Sequence, residues 1–129
     1  MPGKTPPRPT DAELTLLRVL WQRGPSTVRE IHREISRARG AGYTTVLKLM
    51  QIMMEKGSLR RDETVRPQVY QPARTQRHVQ RQLLGDLLEN VFSGSPGNLV
   101  LQALSTKKTT PQERREIRKL LDQIERDAR

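Results

Sequence analysis

Hydrophobic residues repeat at helical spacing in the first part of the chain after a proline-rich start. The apolar positions from Leu14 to Trp21 form one broad face, which predicts an amphipathic helix with Trp21 in the core. A Thr-x-x-Glu signature at Thr10 is typical of a capping box, so we expect this helix to begin at Asp11. Gly24 and the proline after it end the pattern.

Two further helices are predicted before the pattern changes. The capping-box signature recurs at Thr27, and a short second helix follows it. The polar, glycine-containing stretch 37–42 predicts a loop, and helical spacing returns from Tyr43 to Lys56. The residues expected to face the core are Val28, Ile31 and Ile35 in the second helix and Val46, Leu49, Met50 and Met53 in the third.

A small β-hairpin is predicted after the third helix. The segments Leu59–Asp62 and Gln68–Gln71 are short and extended in character, and a polar turn separates them. Pro72 closes the second segment.

The remainder of the chain predicts three amphipathic helices. The first ends at the break 93–97, a short one runs from about Asn98 to Leu104, and the last begins with a capping box at Thr110. The first of these helices carries a wide apolar stripe from Val79 to Val91. Because such a stripe is unfavourable in water, we expect a second copy of the tail to cover it. The alternative is that this helix packs against the domain of its own chain. The residues assigned to dimerisation are Val79, Leu83, Leu84, Leu87, Leu88, Val91, Leu99, Val100, Ile117, Leu120, Leu121 and Ile124.

The order of these elements predicts a mainly α protein with a small β-hairpin. Three helices followed by a hairpin are typical of a winged helix-turn-helix domain, and the last three helices form a helical dimerisation tail. We expect a disordered basic, proline-rich arm over residues 1–9, the DNA-binding domain over 10–72 and the dimerisation domain over 73–129.

Charge narrows the choice of partner. The chain has 24 Lys and Arg against 14 Asp and Glu, which gives a net charge of +10. This excess indicates a polyanionic partner, with nucleic acid as the first candidate and an anionic membrane as the second. Since no apolar run approaches the length of a membrane span and the start lacks a secretory signal, we expect no membrane association and a cytoplasmic protein.

Several classes of chemical site are disfavoured by the composition. Without cysteine, disulfides and thiolate metal sites are excluded. His32 and His78 are isolated in polar helical stretches, so we predict no metal and no cofactor. No catalytic triad, glycine-rich phosphate loop or small-molecule site is recognisable, and the chain is not expected to be an enzyme.

The third helix is the expected reader of DNA sequence. The major groove is wide enough to admit a helix, and the second helix would then brace the DNA backbone. The alternative is that the outer face of the third helix is simply a polar surface exposed to solvent. Base contacts are assigned to Thr44, Thr45, Lys48, Gln51 and Ile52. Backbone or wing contacts are assigned to Thr27, Val28, Arg39, Tyr43, Arg60, Arg61 and Arg66.

The chain resembles the BlaI/MecI/CopY penicillinase-repressor family of winged-helix transcriptional regulators. The resemblance implies a bacterial homodimer whose winged helices block a promoter and whose tails join the two protomers. It covers nearly everything after Thr10. The segments that carry it are Glu13–Trp21, Thr27–Ile31, Tyr43–Leu47, Glu55–Arg61, Val69–Pro72, Gly94–Pro96 and Leu99-Val100.

Three departures from that family limit what the resemblance implies. Antibiotic-responsive members are cleaved at an Asn-Phe bond in the tail, where this chain has Gln102-Ala103. Copper-responsive members use paired cysteines, which this chain lacks. In the wing, this chain has Val65-Arg66-Pro67-Gln68 where the family usually has a glycine-led turn that includes an aromatic residue.

The leading hypothesis is therefore a homodimeric repressor that binds double-stranded DNA at a palindromic operator. The alternative is a protein-interaction adaptor that uses the winged helix as a scaffold, since a fold does not fix a function.

Overall fold

The computed structural model describes residues 8–129, apart from the side chain of Arg39. The predicted arm over residues 1–9 therefore lies almost wholly outside the described residues. The chain forms two compact units, the first ending at Leu83 and the second running from Leu84 to Arg129. The helices and strands are α1 (Asp11–Arg23), α2 (Val28–Arg39), α3 (Tyr43–Glu55), β1 (Leu59–Asp62), β2 (Val69–Pro72), α4 (Gln76–Asn90), α5 (Pro96–Thr106) and α6 (Pro111–Asp127).

This architecture confirms the predicted fold class, since residues 8–129 form six helices and one two-stranded antiparallel hairpin. The three predicted capping boxes are present at the starts of α1, α2 and α6. In each box the threonine side chain accepts a hydrogen bond from the third helical amide, and the glutamate accepts one from the threonine amide. These short-range bonds satisfy amides that the first turn of a helix leaves unpaired.

The predicted loop over 37–42 is wrong in its first half. Helix α2 continues to Arg39, and Gly40 ends it in the left-handed conformation with φ of 64°. The amide of Gly40 donates to the carbonyl oxygen of Ser36 at 2.9 Å. Arginine and alanine are good helix formers, so residues 37–39 extend the helix until a glycine can reverse the backbone.

The hairpin pairs β1 with β2 in antiparallel register, with Leu59 opposite Pro72 and Asp62 opposite Val69. The predicted bounds of β1 are confirmed, whereas β2 begins and ends one residue later than predicted. Tyr70 also exchanges two backbone hydrogen bonds with Ser26, at 2.8 and 3.0 Å. The hairpin is thereby fixed to the segment between α1 and α2.

The core of the first unit lies where α1, α2, α3 and the hairpin meet. The predicted inward positions of α3 are buried at Val46, Met50 and Met53, and Leu49 is partly buried. Trp21 lies at the edge of this core, where its Nε1 donates to the carbonyl oxygen of Arg74 at 3.2 Å. The other buried hydrophobic residues of this core are Leu16, Leu17, Leu20, Ile31, Ile35, Leu59 and Tyr70.

The second unit contains the end of α4 together with α5 and α6. Helix α5 extends beyond the predicted span from Asn98 to Leu104 at both ends. It starts at Pro96 because the side chain of Ser95 caps it there. Neither α5 nor α6, both inside the described part of the chain, contains a buried residue.

Candidate nucleic-acid interface

The outward face of α3 carries all five side chains that we assigned to base contacts. Thr44, Thr45, Lys48, Gln51 and Ile52 are all exposed. They stand opposite the buried positions of the same helix, so the core holds α3 while leaving this face free. Four of them border a shallow depression of about 310 Å³ whose floor includes Leu49. The face combines hydroxyl, amide, ammonium and methyl groups, which suit base edges in a major groove.

The end of α3 is anchored by a buried ion pair that sequence reasoning missed. The Nζ atom of Lys56 lies 2.8 and 3.0 Å from the two carboxylate oxygens of Glu13, whose side chain is 3% exposed. Because these residues are 43 positions apart, no local pattern signals the pair. Glu13 was recognised only as a capping residue, yet it also joins the start of α1 to the end of α3.

The start of α3 is held by a chain of hydrogen bonds from α2. The hydroxyl of Ser36 donates to the carbonyl oxygen of Ala41 at 2.8 Å. The Nε2 atom of His32 lies 2.9 Å from the same hydroxyl oxygen. His32 also meets the ring of Tyr43 edge-on, with the centroids 5.5 Å apart. These contacts fix the short turn that separates α2 from the candidate reading helix.

The three hairpin arginines differ in their surroundings, although all are exposed. Arg61 forms an ion pair with Glu63 at 2.6 Å, and interactions with Tyr70 and then Glu63 raise the pKa of its guanidinium. Arg66 donates to the backbone oxygen of Glu63 at 3.3 Å. Arg60 forms no ion pair or side-chain hydrogen bond with any residue in the described part of the chain. Arg60 is therefore the hairpin cation most available to an outside anion.

The predicted contacts at the start of α2 lie beside the hairpin. Thr27, Val28, Tyr43 and Arg66 line one groove of about 570 Å³. The amide of Thr27 donates to Glu30, so the capping box already occupies it. Arg39 is the last residue of α2, and its side chain lies outside the described residues.

Sequence reasoning missed a second groove on α2, lined by Arg29, His32, Arg33, Ser36 and Tyr43 and about 630 Å³ in volume. It shares Arg29 and Tyr43 with the groove beside the hairpin. The sequence shows that Arg29 and Arg33, and likewise His32 and Ser36, are four residues apart and therefore lie on one side of a helix. It does not show that Tyr43 lines the same groove, because the fold brings Tyr43 there from α3.

The predicted dimerisation residues differ in exposure. Val79 is buried in the first unit, and Leu83 is partly buried there. Leu88, Leu99 and Ile117 are partly buried. The exposed ones are Leu84, Leu87, Val91, Val100, Leu120, Leu121 and Ile124, and the structure adds Leu101 and Leu104 to them.

Among the residues that the structure describes, no three His, Asp or Glu side chains cluster as metal ligands would. Within the same residues, none of the helices has the length and apolar character that crossing a bilayer requires.

Comparison with known proteins places these features in a family context. The sequence profile of the family described as Penicillinase repressor matches residues 9–123, which include α3, the hairpin and most of the tail. A curated relative, the penicillinase repressor of Bacillus licheniformis, is 22% identical over 117 residues. That alignment covers 91% of this chain and 91% of the relative.

Proposed function

The chain belongs to the penicillinase repressor family of transcriptional regulators, which are not enzymes, and we propose that it represses transcription as a homodimer on a twofold-symmetric DNA site. The observation that carries this proposal is the exposed outward face of α3. A recognition helix must present polar groups and methyl groups to base edges while its opposite face holds it on the domain. Helix α3 meets both requirements.

The exposed arginines around α3 support contacts between this domain and the phosphate backbone of DNA. Arg60 and Arg66 are exposed on and beside the hairpin, and Arg29 and Arg33 are exposed on α2. Contacts to phosphate fix the orientation of a protein on the duplex, whereas contacts to base edges supply the sequence preference. We therefore assign base reading to the outward face of α3 and positioning to these arginines.

The homodimer is supported by the apolar surface of the second unit. Nine large hydrophobic side chains between Leu84 and Ile124 are at least 42% exposed. Apolar surface of this extent usually marks an interface in proteins that remain in solution. A twofold dimer would place two α3 helices on one duplex and would require half-sites separated by a whole number of helical turns. Since repression acts on chromosomal DNA, we place this activity in the bacterial cytoplasm.

Selection of bound fragments from genomic DNA tests the proposal. The fragments are expected to share one palindromic motif, which the protein should bind at least roughly a thousandfold more tightly than a scrambled duplex of the same composition. The affinity should fall steeply as salt concentration rises, because counterions are released from DNA on binding. Equal affinity for all duplexes would contradict sequence-specific repression and favour the adaptor hypothesis.

A further inference from the structure

The charges on α2 are separated onto two sides of the helix. On one side, Glu30 and Glu34 lie 2.8 and 3.6 Å from the guanidinium of Arg23, and Glu34 also lies 3.6 Å from Arg37. On the other side, Arg29 and Arg33 are exposed and form no ion pair within the described residues. The carboxylates of α2 are thus neutralised by their own neighbours, and the second side is left cationic.

This cationic side forms the second groove described above, with His32 between the two arginines. The other charged or titratable groups that line it are Arg29 and Arg33 from α2 and the Tyr43 phenol from α3. No carboxylate lines this groove among the residues that the structure describes. Two guanidinium groups one helical turn apart match the repeated charge of a phosphate backbone.

The hydrogen bonds of Ser36 indicate which ring nitrogen of His32 carries the hydrogen. A serine hydroxyl carries one hydrogen, and Ser36 donates it to the carbonyl oxygen of Ala41. The contact between His32 Nε2 and Ser36 Oγ therefore requires the hydrogen to lie on Nε2. In the neutral ring Nδ1 then carries only a lone pair, which cannot donate to a phosphate oxygen. A proton added at Nδ1 creates a second N–H donor and a positive charge.

We propose that the groove of Arg29, His32 and Arg33 binds backbone phosphates of the DNA held by α3, and that His32 takes up a proton from solvent when it does so. This inference rests on the proposed function, because α3 must bring the duplex to α2. A phosphate in the groove favours the charged imidazole. DNA binding is consequently linked to pH through one residue of each protomer.

The chain offers a direct test because it contains two histidines, His32 and His78. The variant His32→Gln retains a side-chain N–H for the Ser36 hydroxyl and cannot take up a proton near neutral pH. The control variant His78→Gln makes the same exchange at an exposed position on α4. Thermal unfolding of each variant establishes that both remain folded.

Binding is measured by titration calorimetry in two buffers of different ionisation enthalpy, with the selected operator and a scrambled duplex of equal length. The wild-type protein should take up protons on binding and bind both duplexes about threefold to tenfold more tightly near pH 6 than near pH 8. His32→Gln should abolish the proton uptake and the pH dependence, while His78→Gln should retain both. An unchanged pH dependence in His32→Gln would overturn the proposal.

The arginines are tested by the salt dependence of binding. The double variant Arg29→Ala/Arg33→Ala should reduce the slope of log affinity against log salt by about 1.8 per protomer, the contribution of two phosphates. The matched control is Arg77→Ala/Arg81→Ala, a pair of exposed arginines with the same spacing on α4. An equal loss of slope in both double variants would overturn the proposal.

These outcomes separate this inference from the proposed function. A wild-type protein that binds all duplexes equally contradicts sequence-specific repression. A wild-type protein that prefers its operator, with no proton uptake and no specific loss in the α2 variants, retains the proposed function and overturns the phosphate groove.

Discussion

Lys48 is the charged member of the five exposed side chains on the outward face of α3. Its ammonium group can donate to guanine acceptors in the major groove, and a good base contact contributes about 1 to 3 kcal/mol of discrimination. We therefore expect Lys48→Ala to weaken binding to the selected operator by about tenfold or more and binding to a scrambled duplex much less. Competition gel-shift titrations measure both affinities. A variant that loses the same factor on both duplexes would show that Lys48 contacts phosphate alone.

Arg60 and Arg61 are neighbours on β1 with different internal partners. Arg61 is held by Glu63 and Tyr70, whereas Arg60 has no such partner in the described part of the chain. We expect Arg60→Ala to lower the salt slope on a scrambled duplex by about 0.9 per protomer, because one phosphate contact is lost. Arg61→Ala is the matched control and should lower it less. An equal effect of the two substitutions would contradict this distinction.

Individual residues also show where sequence reasoning succeeds and where it stops. The capping boxes at Thr10, Thr27 and Thr110 are recognisable because donor and acceptor are three residues apart. The exposed face of α3 follows equally well from helical periodicity. The ion pair of Glu13 with Lys56 depends on contacts that only the folded chain creates, as does the groove that Tyr43 completes on α2.

At the scale of elements, the position of α3 depends on contacts at both of its ends. The turn before it is fixed by Ser36 and His32, and the residue after it is fixed by the ion pair between Lys56 and Glu13. The helix has no side-chain cap at its own start. Tertiary contacts from α1 and α2 therefore supply the anchoring that local sequence does not.

The variant Lys56→Met should destabilise the first unit, because it leaves the buried carboxylate of Glu13 without its cation. Loss of one partner of a buried pair usually costs several kcal/mol, and we expect about 2 to 4 kcal/mol since Lys56 is partly exposed. Urea unfolding at fixed protein concentration measures this change. Adding Glu13→Gln should recover part of the loss, and Lys119→Met on exposed α6 should change the free energy of unfolding by less than about 0.5 kcal/mol. A loss no larger than that of Lys119→Met would contradict the anchoring role.

The capping box of α2 predicts a dependence of stability on pH. Hydrogen bonds from the amide and side chain of Thr27 lower the pKa of Glu30 below its ordinary value. Because the pKa is lower in the folded state, the ionised carboxylate stabilises the fold at pH values above its unfolded-state pKa of about 4.3. This stabilisation is lost as the pH falls through the folded-state pKa. Glu30→Gln should therefore lower the melting temperature at about pH 7 and have little effect at about pH 3. Thermal unfolding at both pH values is compared with that of Glu125→Gln, an exposed control on α6. An equal effect of Glu30→Gln at both values would contradict this assignment.

At the scale of the whole molecule, the candidate contacts to DNA and most of the large exposed hydrophobic residues occupy different units. The candidate contacts to DNA are in the first unit, and the large exposed hydrophobic residues of the tail follow Leu84. The net charge of +10 raises the rate of encounter with any duplex but supplies no sequence preference. Under the proposed function, we expect the face of α3 to supply the preference and two such faces on one assembly to supply high affinity for a palindrome.

The assembly is tested at two neighbouring positions of α6. Leu121 is 55% exposed on the apolar side, and Asp122 follows it on the polar side. A buried leucine contributes about 2 kcal/mol, so Leu121→Gln should cost a twofold dimer about 4 kcal/mol and weaken it about a thousandfold. Sedimentation velocity over a range of concentrations is expected to show dissociation of Leu121→Gln where the wild type and Asp122→Gln remain dimeric. The same variant should lose affinity for the palindrome and keep its affinity for a single half-site, because each α3 still reads its own bases. A wild-type chain that sediments as a monomer throughout would contradict the dimer, and equal behaviour of the two variants would show that α6 lies outside its interface.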